Sequence, residues 1–376
     1  MNILIFSWRG PGHPHAGGAE QSSHEHAAGW HKAGHNVTLF TSFFQGAKKK
    51  EDVDGIHVIR RGGQIFQVHL HAMFWYLFSS HPKFDIVVDE VHGIPFFTPF
   101  FVRVRKLVFI HEVAKEVWRL NPWPRPFNLV PALIGTFLEP LIFKLIYRNV
   151  PFMTVSQSTK KDLIEWDIPE ESITVIHNGF SNKFPLREIN KESKKTVIYL
   201  GALSKDKGIE EALKVCKFLF RTEKNWQFWV VGKGEPNYLT YLKKQAEKFG
   251  IEKAVKFFGF VNEREKYNLL SRAHILLNPS TREGWGLVVI EAASVGTPTI
   301  AYNVAGLRDS VKDGKTGLLS LPNPEDCAEI IINLFSDKKL YDLLQKNCFK
   351  WSDKFSWEKS SKQSLNLIER LGEKKD

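Results

Sequence analysis

The first half of the chain carries a series of short, almost purely apolar runs, "MNILIF", "NVTLFT", "DIVVDE", "KLVFIHE", "FMTVS" and "ITVIHN", separated by stretches of helical composition. Such runs leave no polar face for water, so they belong to parallel sheets covered on both sides by helices. The intervening segments fit. "GGAEQSSHEHAAGWHKAGH" is entered through glycines and stopped at Gly34, and "QVHLHAMFWYLFSS" is a second helical stretch. The rhythm ends at Asn178-Gly179, where the polar, charged "FSNKFPLREINKESKK" reads as a linker. It restarts with "TVIYLG", "WQFWVVG", "VKFFGFV", "HILLNPS" and "TPTIAYN". Asn262, followed by Glu265, is placed to open the helix "EREKYNLLSRA" as a capping box. The expectation is an α/β chain with two Rossmann-like, doubly wound domains, residues 1–182 and 196–350, joined by a linker over 183–195. A length of 376 residues is comfortable for two cores.

Three scattered cysteines suggest neither a disulfide framework nor a thiolate metal site and fit a reducing, cytoplasmic compartment. The apolar run before Arg9 is too short for a signal peptide. "FNLVPALIGTFLEPLIFKLIY", residues 127–147, is interrupted by Pro131, Glu139, Pro140 and Lys144, so a half-buried or interfacial helix is expected, not a span. The net charge of +11 is spread along the chain and suits anionic small molecules or an acidic membrane surface. Nothing in it calls for nucleic acid. Residues 101–150 are locally basic, with eight Lys and Arg against three acids interleaved with aromatic residues. The aromatic, basic segment from Phe96 to Tyr147 suggests either contact with a membrane surface or lipid-linked acceptor, or a core-facing helix with solvated cationic edges.

One stretch carries chemistry. In "STREGWGLVVIEA", Glu283 lies in a glycine-rich loop after a strand and Glu291 one turn into the following helix. A helix start offers unpaired N–H groups and partial positive charge to a phosphate, and Gly284 and Gly286 let the backbone approach it. Carboxylates accept hydrogen bonds from adjacent hydroxyls. Phosphate together with hydroxyls describes a nucleotide sugar.

That stretch resembles the acid–seven residues–acid motif of the retaining glycosyltransferases of family 4, which have the GT-B fold. "HAGGAE", "TVSQSTKKDL", "VIHNGF", "YLGALSKDKG" and "GLRDSVKDGKTGLL" extend the resemblance along almost the whole chain. It implies two domains facing a central cleft, with a C-terminal helix over 351–376 crossing back to the first. It implies a metal-independent transfer of a hexose, with retention, from a UDP- or GDP-linked donor to an acceptor hydroxyl. Candidate acceptors are glycolipid, lipid-linked or polysaccharide precursors. By resemblance, Glu283 contacts the donor sugar's hydroxyls, Glu291 the ribose, and the amides of Trp285, Gly286 and Leu287 the sugar and distal phosphate. Lys207 neutralises the departing diphosphate. His111 is catalytic near the reacting carbon. Gly17, Gly18, Gly284 and Val261 complete the donor contacts. The family has Gly-Arg where this chain has Gly201-Ala202, which leaves Lys205 as the nearest cationic substitute.

His13 and His15, in the first strand–helix loop, are candidate acceptor contacts. No metal is expected. The histidine pairs at 13 and 15, 24 and 26, and 69 and 71 lack an Asp, Glu or Cys to complete a ligand set, and "DVD" at Asp52–Asp54 reads as a solvated turn. "GKGEPN" at Gly232 lacks the third glycine of a dinucleotide fingerprint. Two rivals stay open: a nucleotide-sugar epimerase of the same fold, and a catalytically silent nucleotide-sugar-binding subunit.

Overall fold

The computed structural model describes residues 1–64, 66–120, 129–181 and 190–373. Most of the expected linker falls on 182–189, outside the described residues. The chain divides into two compact units, Met1–Gly179 with Ser356–Asp376, and Phe180–Phe355.

Unit 1 holds strands β1 (Asn2–Phe6), β2 (Asn36–Thr41), β3 (Lys50–Val53), β4 (Ile56–Arg60), β5 (Ile86–Val91), β6 (Arg105–Ile110), β7 (Phe152–Thr154) and β8 (Ile173–Val175). They form one sheet in the order β3-β4-β2-β1-β5-β6-β7-β8, parallel except for the β3–β4 pair. The expected apolar runs are six neighbouring strands of it, β2-β1-β5-β6-β7-β8, the last at the far edge. The β3–β4 hairpin corrects the reading of "DVD" as a turn throughout. Asp52 lies on the edge strand opposite His57, and only Asp54 and Gly55, at φ +50° and +82°, make the two-residue turn. A short, charged edge strand carries no apolar run to announce it.

The helices of unit 1 are α1 (Gly18–Lys32), α2 (Phe66–Phe78), α3 (Thr98–Phe101), α4 (Leu129–Ile142) and α5 (Gln157–Glu165). Right-handed crossovers put helices of opposite step direction on opposite faces of the sheet. The β1→β2 step runs toward β3, whereas β4→β5, β5→β6 and β6→β7 run toward β8. So α1 covers one face, and α2, α3 and α4 cover the other. Side-chain alternation agrees. Val87 packs with Val68, Ala72 and Phe101, and Asp89 accepts from the Tyr147 hydroxyl at 2.7 Å. Glu90, one residue on, meets Ser23 of α1. Past Pro140, whose ring nitrogen cannot donate, α4 loosens into a π turn over Phe143–Tyr147.

Unit 2 is a six-stranded, wholly parallel sheet of order β11-β10-β9-β12-β13-β14. Its strands are β9 (Lys195–Leu200), β10 (Trp226–Val231), β11 (Val255–Gly259), β12 (Ile275–Asn278), β13 (Thr299–Tyr302) and β14 (Gly317–Ser320). Its helices are α6 (Ile209–Thr222), α7 (Pro236–Lys248), α8 (Glu263–Arg272), α9 (Leu287–Ser294), α10 (Leu307–Ser310), α11 (Pro324–Ser336) and α12 (Lys338–Ser352). Two apolar clusters, one on each face, give it a core of its own. Asn262 caps α8 by accepting from the Glu265 amide at 2.9 Å.

The final helix, α13 (Trp357–Glu373), belongs to unit 1 and packs on α1. Its Ser364 hydroxyl accepts from Trp30 Nε1 at 2.9 Å and lies 2.8 Å from His26 Nδ1. Gly29 makes the approach possible, because a Cβ there would overlap the Ser361 side chain.

Candidate functional site

In unit 2 the residues from the acid motif sit where strands hand over to helices. β12 ends at Asn278, and the chain runs through an eight-residue loop to Gly286, which adopts φ +77° and caps α9. The Ser280 hydroxyl lies 2.8 Å from Asn278 Oδ1 and 2.9 Å from Glu283 Oε1, so the loop braces its own carboxylate. Gly306, at φ +77°, has no Cβ to overlap the Glu283 carbonyl pressed against it.

A second loop, from Gly201 to Gly208 after β9, meets this one. The Thr281 amide donates to the Asp206 carbonyl at 2.9 Å. The Tyr199 hydroxyl holds the loop's own carbonyls at Ala202 (2.7 Å) and Lys207 (3.2 Å). Together these bring Lys207 Nζ to 3.0 Å from Glu283 Oε2. Lys205 is exposed, and Ala202 is exposed beside it. Gly208 adopts φ +74°, and a Cβ there would overlap the Pro279 carbonyl. Gly208→Ala is therefore expected to lower stability by roughly 1–3 kcal/mol and to displace Lys207. Denaturant unfolding and donor titration of this variant measure both effects.

Glu291 is buried one turn inside α9, with Lys266 Nζ of α8 at 2.7 Å. Burial raises its carboxyl above the ordinary value, although the Lys266 charge pulls the other way. Sequence reasoning passed over Lys266, since nothing in "EREKYN" ties it to a residue 25 positions later. Gly284, Trp285 and Gly286 are buried, and Trp285 meets Phe355 edge-on at 5.2 Å. Leu287 is half-buried, and Val261, also half-buried, packs on the apolar cluster under α8 and α9.

In unit 1, His111 follows β6 directly and is buried. Its Nε2 lies 3.3 Å from Glu90 Oε1, which is also 3.0 Å from His92 Nε2 and accepts from the Ser23 hydroxyl. Burial acts against charge on all three groups. Against it, the two imidazoles hold Glu90 well below the ordinary carboxylate range, and Glu90 raises His92. His111 stays below the ordinary imidazole value, since there burial outweighs Glu90. Sequence reasoning missed Glu90 and His92. Only the strand register reveals them, because Glu90 pairs with Phe109, the residue two before His111. The ligand atoms of the three side chains all lie within 4.8 Å of one another, close enough to hold one metal ion. This set differs from the histidine pairs weighed in the sequence.

Gly17 caps α1. Its amide donates to Glu20 Oε2 at 2.6 Å, and Glu20 in turn pairs with Arg9 at 2.7 Å. Gly18 is exposed. His13 is buried beside Gln64 (3.0 Å) and Phe44, and His15 is exposed, the two rings 5.7 Å apart.

A chain of two parallel-sheet α/β units of this kind has the GT-B fold. Residues 16–183 match Glycosyltransferase Family 4 and residues 182–351 match Glycosyl transferases group 1, and the chain belongs to this family. An uncharacterised glycosyltransferase of Methanocaldococcus jannaschii is 23% identical over 98% of this chain and 97% of its own. Sucrose-phosphate synthase from Thermosynechococcus elongatus shares the fold with a TM-score of 0.77 at 19% identity, covering 98% of each chain. HepE of Anabaena, solved in complex with UDP-glucose, gives a TM-score of 0.72 at 18% identity, covering 98% of this chain and 100% of its own. The protein is a transferase of this group.

Proposed function

We propose that the enzyme moves a hexose from a UDP- or GDP-linked donor to an acceptor hydroxyl, with retention at the anomeric carbon and without a metal. The acceptor is a glycolipid, a lipid-linked sugar or a polysaccharide precursor, reached from the cytoplasmic face of a membrane. One observation carries the reading: the ion pair of Lys207 and Glu283, fixed by two loops ahead of the α9 start. The fold likeness to HepE, solved with UDP-glucose, supports a nucleotide sugar.

In this reading Glu283 receives the sugar hydroxyls and Glu291 the ribose diol. The amides of Trp285, Gly286 and Leu287 face the sugar and distal phosphate, Val261 lies by the donor, and Gly17 and Gly18 offer amides from unit 1. His111 works on the donor sugar, and His13 and His15 meet the acceptor. Bond cleavage at the anomeric carbon leaves the electron pair on the diphosphate. Lys207, Lys205 and the α9 start stabilise that charge. The acceptor attacks the same face, and its proton passes to the departing phosphate oxygen. No covalent glycosyl-enzyme is formed, so trapping such an adduct would reject the mechanism.

Thermal stabilisation by a panel of nucleotide sugars, followed by product analysis with and without acceptor, tests the function. Transfer only with acceptor is expected, and activity unchanged by a chelator. Conversion of donor alone would establish an epimerase instead, and binding without turnover across the acceptor panel a silent subunit. Ala202→Arg restores the family's usual cation beside Lys207 and is expected to tighten donor binding about tenfold. Calorimetric titration measures it, and an unchanged affinity would show that Lys205 already fills that role.

A further inference from the structure

We propose that α2, α3 and α4 form a docking face for an anionic lipid bilayer, with their outer side chains lodged at the boundary of headgroups and acyl chains. This rests on the membrane-acceptor part of the proposed function, and it comes from side chains to which that function assigns no role.

Both long helices repeat the same pattern. On α2 every fourth residue from Phe66 through Phe78 is phenylalanine or leucine, and so is every fourth residue from Leu129 through Leu145 on α4 and its π turn. All of these point outward. With Phe100 of α3, Leu77 and Leu138, their exposures run from 45% at Leu138 to 77% at Phe78. The crossover handedness puts the three helices on one face of the sheet, where α3 touches α2. Single exposed apolar residues are ordinary, but a dozen on three helices of one face need a cover.

Charge identifies the cover. No Asp or Glu occurs anywhere in α2 or α3. The one acid of α4, Glu139, is buried and already accepts from Trp118 Nε1 at 2.8 Å and the Ala114 amide at 2.9 Å. Exposed cations flank the helices in the chain: Arg61 before α2, Lys83 after it, Arg103 after α3 and Arg148 after the π turn. The three helices expose no carboxylate of their own. At one edge Lys144 of the π turn pairs with Asp167 at 2.6 Å. An apolar face otherwise edged by cations matches a negatively charged bilayer surface. Among the described residues no helix is long and apolar enough to cross a membrane, so the helices would lie in the interface.

The test is flotation of the full chain with phosphatidylcholine vesicles, with and without about 30 mol% phosphatidylglycerol, at about 0.1 M salt. No donor is present, so the result is independent of the transferase reading. Binding to the anionic vesicles is expected, weakening as salt rises. Leu133→Gln/Phe137→Gln/Leu145→Gln should reduce it at least about tenfold, and Phe74→Gln/Phe78→Gln several-fold. Should the apolar variants fail to fold, Arg103→Glu/Arg148→Glu changes only exposed positions and is expected to abolish the preference for anionic lipid. Wild type that stays unbound on both vesicle types overturns the proposal. So does a dimer in solution that the α4 variant dissociates, since that face would then be covered by a second copy.

Discussion

Lys207→Ala is expected to lower kcat/KM by about 10²–10⁴-fold with little loss of stability. The lysine is partly exposed and contributes no core packing, so the folded state depends little on it. Its proposed partner is the diphosphate, whose negative charge grows as the glycosidic bond breaks. An interaction stronger in the transition state than in the ground state shows up in kcat. Removing one such electrostatic group typically costs about 3–5 kcal/mol of transition-state stabilisation. Lys207→Arg should recover only part of the rate, because a planar fork does not replace a compact ammonium on a short tether. Glu283→Ala should be comparably damaging. The double variant should lose far less than the product of the two losses, since the residues pair at 3.0 Å and act as a unit. Steady-state kinetics on the wild type and the four variants decides it, and near-normal rates from both Lys207→Ala and Glu283→Ala would refute the assignment.

Acid should weaken unit 1 through His26. This imidazole is wholly buried against α13, and burial lowers its pKa from 6.5 to about 3, with His111 adding to the fall. In the unfolded chain it takes up a proton near its ordinary value, while in the folded chain it stays neutral. Stability is therefore complete above about pH 6.5 and falls as pH drops toward 3, because the unfolded state binds the extra proton first. The loss is roughly 2 kcal/mol at about pH 5 and on the order of 5 kcal/mol once both states are protonated. Protection factors in α1 and α13, which allow for the intrinsic slowing of amide exchange in acid, should fall over this range. His26→Gln should flatten the pH response while costing some stability at neutral pH. Protection factors in α1 that do not change with pH in the wild type would contradict the argument.

The fold was readable because its strands are apolar throughout. "MNILIF" or "HILLNPS" has only one environment that suits it, a strand buried on both faces, and β1 and β12 are such strands. The elements that went unseen are those stabilised by position. Strand β3 is "KEDV", an edge held by backbone pairing to β4, and β14 is likewise an edge strand. The site divides in the same way. Gly286, Glu283 and Lys207 belong to local motifs whose spacing carries meaning. Glu90, His92 and Lys266 acquire partners only through sheet register and helix packing, which no local pattern encodes.

The return of α13 to unit 1 has a consequence for synthesis. Unit 2 is one uninterrupted stretch, Phe180–Phe355, whereas unit 1 needs Ser356–Asp376 to be whole. The ribosome releases every residue of the inserted unit before the helix that covers His26 and Trp30 exists. The half made first is thus the half completed last, and the flank of α1 stays uncovered until α13 emerges.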